Sequence, residues 1–150
     1  MLIEILLGTV LMFVTMSIGA LGAWGMEVAM DRAHYWLIRE PHRPKLFVVV
    51  LGATLGAMMV ITSAVWIWAL TFYALGIFHT LEPAVYFSLV TFTTIGYGDV
   101  VLPVGWRILG GMAAANGLIL FGLLTALMVD ALRQLHKSQR ASRMPPYHYH

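Results

Sequence analysis

Thr80-Leu81-Glu82-Pro83-Ala84-Val85-Tyr86-Phe87-Ser88-Leu89-Val90-Thr91-Phe92-Thr93-Thr94-Ile95-Gly96-Tyr97-Gly98-Asp99 joins a helix start to an apolar run and then to two glycines spaced by two. Pro83 suits the first turn of a helix, where its missing N–H would have no partner anyway. Thr80 or Glu82 supplies a cap, and a helix over about 83–93 follows. The uncharged run 83–98 is too short to cross a bilayer, which takes roughly 20 residues. A helix that enters such a layer and stops inside it aims the negative end of its dipole at the centre, which favours a cation there. Irregular backbone survives at that depth only when it is buried in protein or lines a water-filled path. A run whose carbonyls all face one side needs dihedrals of alternating hand, and glycine takes the positive-φ half without steric cost. Gly96 and Gly98 are placed for that alternation. The carbonyls of Thr94, Ile95, Gly96 and Tyr97, with the Thr94 hydroxyl, would then stand in for the water around a bare cation. Ile95 and Tyr97 are expected to point their side chains away from that path and to pack behind it.

The rest of the chain is apolar. Of 150 residues, 60% are hydrophobic and 11% charged, with a mean hydropathy of +0.82; a soluble domain is about 25% charged. Runs 5–26, 46–78 and 108–129 lack Asp, Glu, Lys, Arg and His and are long enough to span. The first begins after Met-Leu-Ile-Glu, without the positive start of a secretory signal, and is read as a span. There is no cysteine, which excludes disulfides, thiolate metal sites and a thiol nucleophile.

Charge placement sets the expected topology. Arg32, Arg39, Arg43 and Lys45 lie between the first two spans, and Arg133, Lys137, Arg140 and Arg143 follow the third. Only Arg107 lies between the second and third. The positive-inside rule makes the first loop and the C-terminus cytoplasmic and puts the N-terminus and segment 79–107 outside. The tail, 136–150, is expected to be disordered, with His148 and His150 as solvated residues rather than metal ligands.

Thr94-Ile95-Gly96-Tyr97-Gly98-Asp99 resembles the selectivity filter of potassium channels, in which carbonyl rings replace the hydration shell of K⁺. Potassium preference is what the resemblance implies; spacing alone does not give it. The likeness extends over about Phe47–Leu132, similar to the outer helix, pore helix, filter and inner helix of small prokaryotic potassium channels. It implies a tetrameric pore with K⁺ held at Thr94, Ile95, Gly96 and Tyr97, and with Tyr86, Phe87 and Asp99 supporting the filter. Tyr86 is expected to hydrogen-bond near Tyr97 or Asp99. Val90 stands where some members carry a glutamate that pairs with the aspartate after the filter, so inactivation of that type is not implied. On the inner helix the match makes Gly117 a bending point and places Leu118, Phe121, Thr125 and Val129 along the cavity and gate; ordinary close packing is the other account of Gly117. Asn116 is expected to make an interhelical hydrogen bond.

The resulting expectation is an all-α membrane protein with three transmembrane helices, a re-entrant pore helix and a filter loop. Residues 1–30 form an additional N-terminal helix, 31–45 a basic cytoplasmic loop and 46–135 the pore domain. Gly19, Gly22 and Gly25 are expected to dock the first helix on the second span at Gly52 and Gly56, away from the ion path. The expected assembly is a homotetramer in a lipid membrane, the cell membrane, with K⁺ in the filter. No organic cofactor, nucleic-acid partner, small-molecule substrate or enzymatic activity is expected. No span carries regularly spaced arginines, so steep voltage sensing is not expected. Among the alternatives, a weakly selective cation channel is disfavoured by Tyr97 and a non-conducting accessory subunit by the complete filter sequence.

Overall fold

A computed structural model of the chain describes residues 1–38 and 42–141. Among them are four α-helices: α1 (Leu2–Ile38), α2 (His42–Ala74), α3 (Leu81–Phe92) and α4 (Arg107–Ala141), the last preceded by a 3-10 turn at Val104–Trp106. Segments Leu2–Ala29, Phe47–Ala74 and Val104–Asp130 are long and apolar enough to cross a membrane, while α3 is too short. The described residues contain no strand.

Some boundaries differ from expectation. The segment 31–45 is helical on both sides of 39–41, which lie outside the described residues. Pro44 does not prevent this, because it falls in the first turn of α2, where an N–H has no intrahelical partner to lose. α4 runs on to Ala141, past the expected tail boundary at 136, through a stretch rich in the good helix formers Arg, Gln, Leu and Lys. His148 and His150 lie outside the described residues.

α2 ends at Ala74, four residues before the uncharged run ends at 78. Gly76 has φ +67°, its N–H donates to the Tyr73 carbonyl at 3.0 Å, and the Ile77 N–H donates to the Phe72 carbonyl at 3.2 Å. This pair of bonds closes a helix through a left-handed residue just past its end. The turn folds Phe78 back onto Phe72, with ring centroids 6.4 Å apart and nearly perpendicular. Phe87 of α3 meets Phe72 at 5.3 Å and Phe78 at 5.7 Å. Aromatic edges thus fasten α3 to α2.

α3 lies against both α2 and α4, and α1 packs on both α2 and α4, more extensively on α4. The expected docking of α1 on α2 is present, and a contact with α4 that was not expected adds to it. A Cβ on Gly19 would meet Leu120 of α4 at 2.8 Å, and one on Gly22 would meet Val60 of α2 at 2.7 Å. Gly25 and Gly52 face nothing within 4 Å among the described residues. Toward that end the three long helices leave a cavity of about 450 Å³, lined in part by Gly22, Ala23, Gly56, Ala57 and Leu127. Nearer the other end of α1, Asn116 Nδ2 of α4 donates to Thr15 Oγ1 at 2.6 Å, and both residues are fully buried. The interhelical bond expected of Asn116 is present, and its partner is on α1.

Candidate functional site

α3 ends in the same hydrogen-bonded geometry as α2. The Thr94 N–H donates to the Thr91 carbonyl at 2.9 Å, and the Ile95 N–H donates to the Val90 carbonyl at 3.0 Å. Here the left-handed position is filled by Thr94, with φ +61°. A β-branched residue is unusual at positive φ, and strain of this kind persists where its surroundings over-determine the backbone. Gly96 and Gly98 follow with φ +56° and +78°. Positive φ therefore falls on every second residue from 94 to 98, at the two glycines that the spacing singled out and at a threonine that it did not.

The Gly96 N–H also aims at the Val90 carbonyl, at 3.4 Å. In a trans peptide the N–H and C=O point in opposite directions. The carbonyls of Thr94 and Ile95 belong to the same two peptide units as the N–H groups that converge on Val90. Both carbonyls therefore face away from α3, to the same side. Ile95 and Tyr97 do not pack behind this loop within one chain; they are 55% and 70% exposed.

Asp99 is held from two directions. Tyr86 Oη donates to Asp99 Oδ2 at 2.6 Å, and the Val100 N–H donates to Asp99 Oδ1 at 3.0 Å. The Tyr86 hydroxyl, followed by backbone N–H groups and against the opposing effect of desolvation, holds the Asp99 carboxyl below its ordinary value. Phe87, the other expected support, turns its ring to Phe72 and Phe78.

The faces of α4 separate the remaining site residues. Asn116 and Leu120, one turn apart, are buried toward α1. Gly117 and Phe121 form the adjacent row toward α3. A Cβ on Gly117 would run into the Phe92 backbone carbonyl, and the Phe121 ring lies 6.4 Å from the Phe92 ring. Gly111, Ala115, Leu118, Gly122, Thr125 and Val129 repeat at alternating steps of four and three and are all exposed. That stripe has no partner among the described residues. It contains three of the four expected cavity residues and leaves out Phe121, which is half-buried. Sequence reasoning did not find the contact between Gly117 and Phe92, because a glycine in an apolar helix does not say which backbone approaches it. Among the described residues no group of three or more His, Cys, Asp or Glu is placed to hold a metal ion.

The sequence model of an ion channel family matches residues 58–134, just over half of the chain. The potassium voltage-gated channel protein Shal of Drosophila melanogaster is 31% identical over 68 residues, which is 44% of this chain and 12% of that protein. The chain thus spans about an eighth of the length of this curated relative. No solved structure matches.

Proposed function

The chain belongs to the ion channel family as a multi-pass membrane protein, and from that premise we propose that it is the subunit of a homotetrameric, potassium-selective pore. The observation that carries this is the loop after α3, with positive φ at Thr94, Gly96 and Gly98 and the Thr94 and Ile95 carbonyls turned together away from Val90. Four such loops around an axis supply rings of carbonyls that replace the water of a bare K⁺. The ion is the cargo; Thr94, Ile95, Gly96 and Tyr97 hold it in passing. α3 is then the re-entrant pore helix, with its negative end toward the ion.

A single chain has one loop and cannot surround an ion. Exposure of Ile95 and Tyr97 and the open stripe on α4 are what subunits that complete each other across an axis leave uncovered. Leu118, Thr125 and Val129 then face the cavity, while Phe121 and Gly117 hold α4 to the pore helix. Basic residues clustered at 32–45 and 133–143 put the C-terminus in the cytoplasm and the N-terminus and Asp99 outside. Purified protein in planar bilayers under a K⁺/Na⁺ gradient tests the proposal. Reversal close to the K⁺ equilibrium potential is expected. Reversal near zero would mean a weakly selective pore, and no current from a stable assembly an accessory subunit.

A further inference from the structure

Two adjacent residues of α4 face different neighbours at one level. Gly117 lies so close to the C-terminus of α3 that the Phe92 carbonyl occupies the place of its missing side chain. Asn116 turns to the other side and donates its amide to Thr15 at 2.6 Å. The Thr15 hydroxyl in turn donates to the carbonyls of Leu11 and Met12 at 2.8 and 3.0 Å, so its oxygen is oriented to accept the amide. One turn on, the arrangement repeats: Leu120 sits over Gly19 of α1, and Phe121 sits against Phe92. α4 is thus gripped between α1 and the end of α3, two residues before the left-handed Thr94. In lipid, apolar contact gives helices little drive to associate, whereas small residues and polar bonds do. The Thr15–Asn116 bond, fully buried, is the directional part of the grip.

We propose that Asn116 is a positioning residue whose bond to Thr15 lets α1 press α4 onto the C-terminus of α3, and that this contact sets how long the filter stays conducting. The proposal rests on the reading of residues 94–98 as the filter. It gives α1 a part in conduction although the helix docks away from the ion path.

The two partners are not equivalent. Asn116→Leu keeps the approximate volume and strands nothing, because the Thr15 hydroxyl still donates to its own helix. Thr15→Val leaves the Asn116 amide buried without its acceptor, the costlier defect. Thr15→Ser retains the oxygen. Full-length channels in planar bilayers give burst duration and reversal potential, and detergent melting of the oligomer gives stability. Bursts in Asn116→Leu and Thr15→Val are expected to shorten about threefold, the scale of an average interhelical hydrogen bond in a membrane. The double variant should be no worse than Thr15→Val, and Thr15→Ser should match the wild type. Normal bursts with a lowered melting temperature would reduce the bond to a support of the fold and overturn the proposal. So would failure of both single variants to assemble. If only Thr15→Val fails, Asn116→Leu decides. A wild-type channel without K⁺ selectivity would instead sink the reading of the filter, a result separable from all of these.

Discussion

Thr94 and Gly76 occupy the same position in two equivalent helix ends, and only one of them is a residue that enters the left-handed region freely. Gly96 and Gly98 were legible as loop positions because glycine takes positive φ without steric cost, whereas Gly76 lay unmarked inside the apolar run 46–78. Thr94 was not legible, because a threonine gives no such sign and its conformation follows from bonds to Thr91 and Val90 that close only in the folded chain. Gly98→Val should abolish selective current. Space is not the obstacle, since nothing lies within 4 Å of a Cβ there; the φ of +78° is, at about 1–2 kcal/mol per residue. Reversal potentials check this, and retained K⁺ selectivity would refute it. At Asp99 the Tyr86 hydroxyl lowers the carboxyl pKa. A lowered pKa means that the charged contact is fully formed above the ordinary carboxylate value of about 4 and is lost only as pH falls through the lower value in the folded protein. Current should therefore not vary between about pH 5 and 8 on the Asp99 side through this group. Tyr86→Phe should move any acid block upward, toward the ordinary carboxylate range. A titration near neutrality that disappears in Asp99→Asn would contradict this.

Helices were easier to read than their partners. Three uncharged runs gave three spanning helices because in lipid each span must satisfy its own backbone bonds, so length and charge suffice. The docking of α1 was legible only as a tendency. Glycines at every third residue mark a face that another helix can approach, but they do not say which one, and of the five glycines expected at the α1–α2 contact, Gly25 and Gly52 meet nothing among the described residues. Asn116 announced a hydrogen bond without naming Thr15, 101 positions away. Gly117 shows the same limit. Its place in an apolar helix admits a bend or a close contact, and the structure supplies the contact. Gly117→Ala should lower oligomer stability by about 1–3 kcal/mol, as over-packing does, because backbone cannot give way as the end of a flexible side chain can. Gly52→Ala, with open space around it, should be neutral or stabilising by up to about 1 kcal/mol through helix propensity. Melting of the two variants in detergent compares them. Equal, unperturbed melting would leave bending as the reason for a glycine at 117.

Seen as a whole, the chain is an ion-channel segment over 58–134 with a further helix, α1, packed on α4 and α2, and the bilayer sets what removing that helix would do. Of the α4 surface that α1 covers, Leu109, Met112 and Leu120 are apolar, and lipid chains replace such contacts at little cost. Asn116 is the exception, since its amide would lose Thr15 and face hydrocarbon, where an unpaired polar group costs on the order of a few kcal/mol. A chain begun near Asp31 with a new initiator methionine should therefore insert and assemble less well than the full chain, chiefly through this one residue. The basic residues at 32, 39, 43 and 45 favour the cytoplasmic N-terminus that the proposed topology would need, so topology is not expected to oppose the truncation. Adding Asn116→Leu should restore much of the oligomer yield, while the shortened bursts expected of a pore without its Thr15 contact should remain. Oligomer yield from detergent extracts, compared for the truncated chain with and without Asn116→Leu, measures the first part, and bilayer recording measures the second. If the leucine rescues nothing, α1 contributes through its whole packed face, and the apolar contacts with α4 count for more than lipid replacement allows.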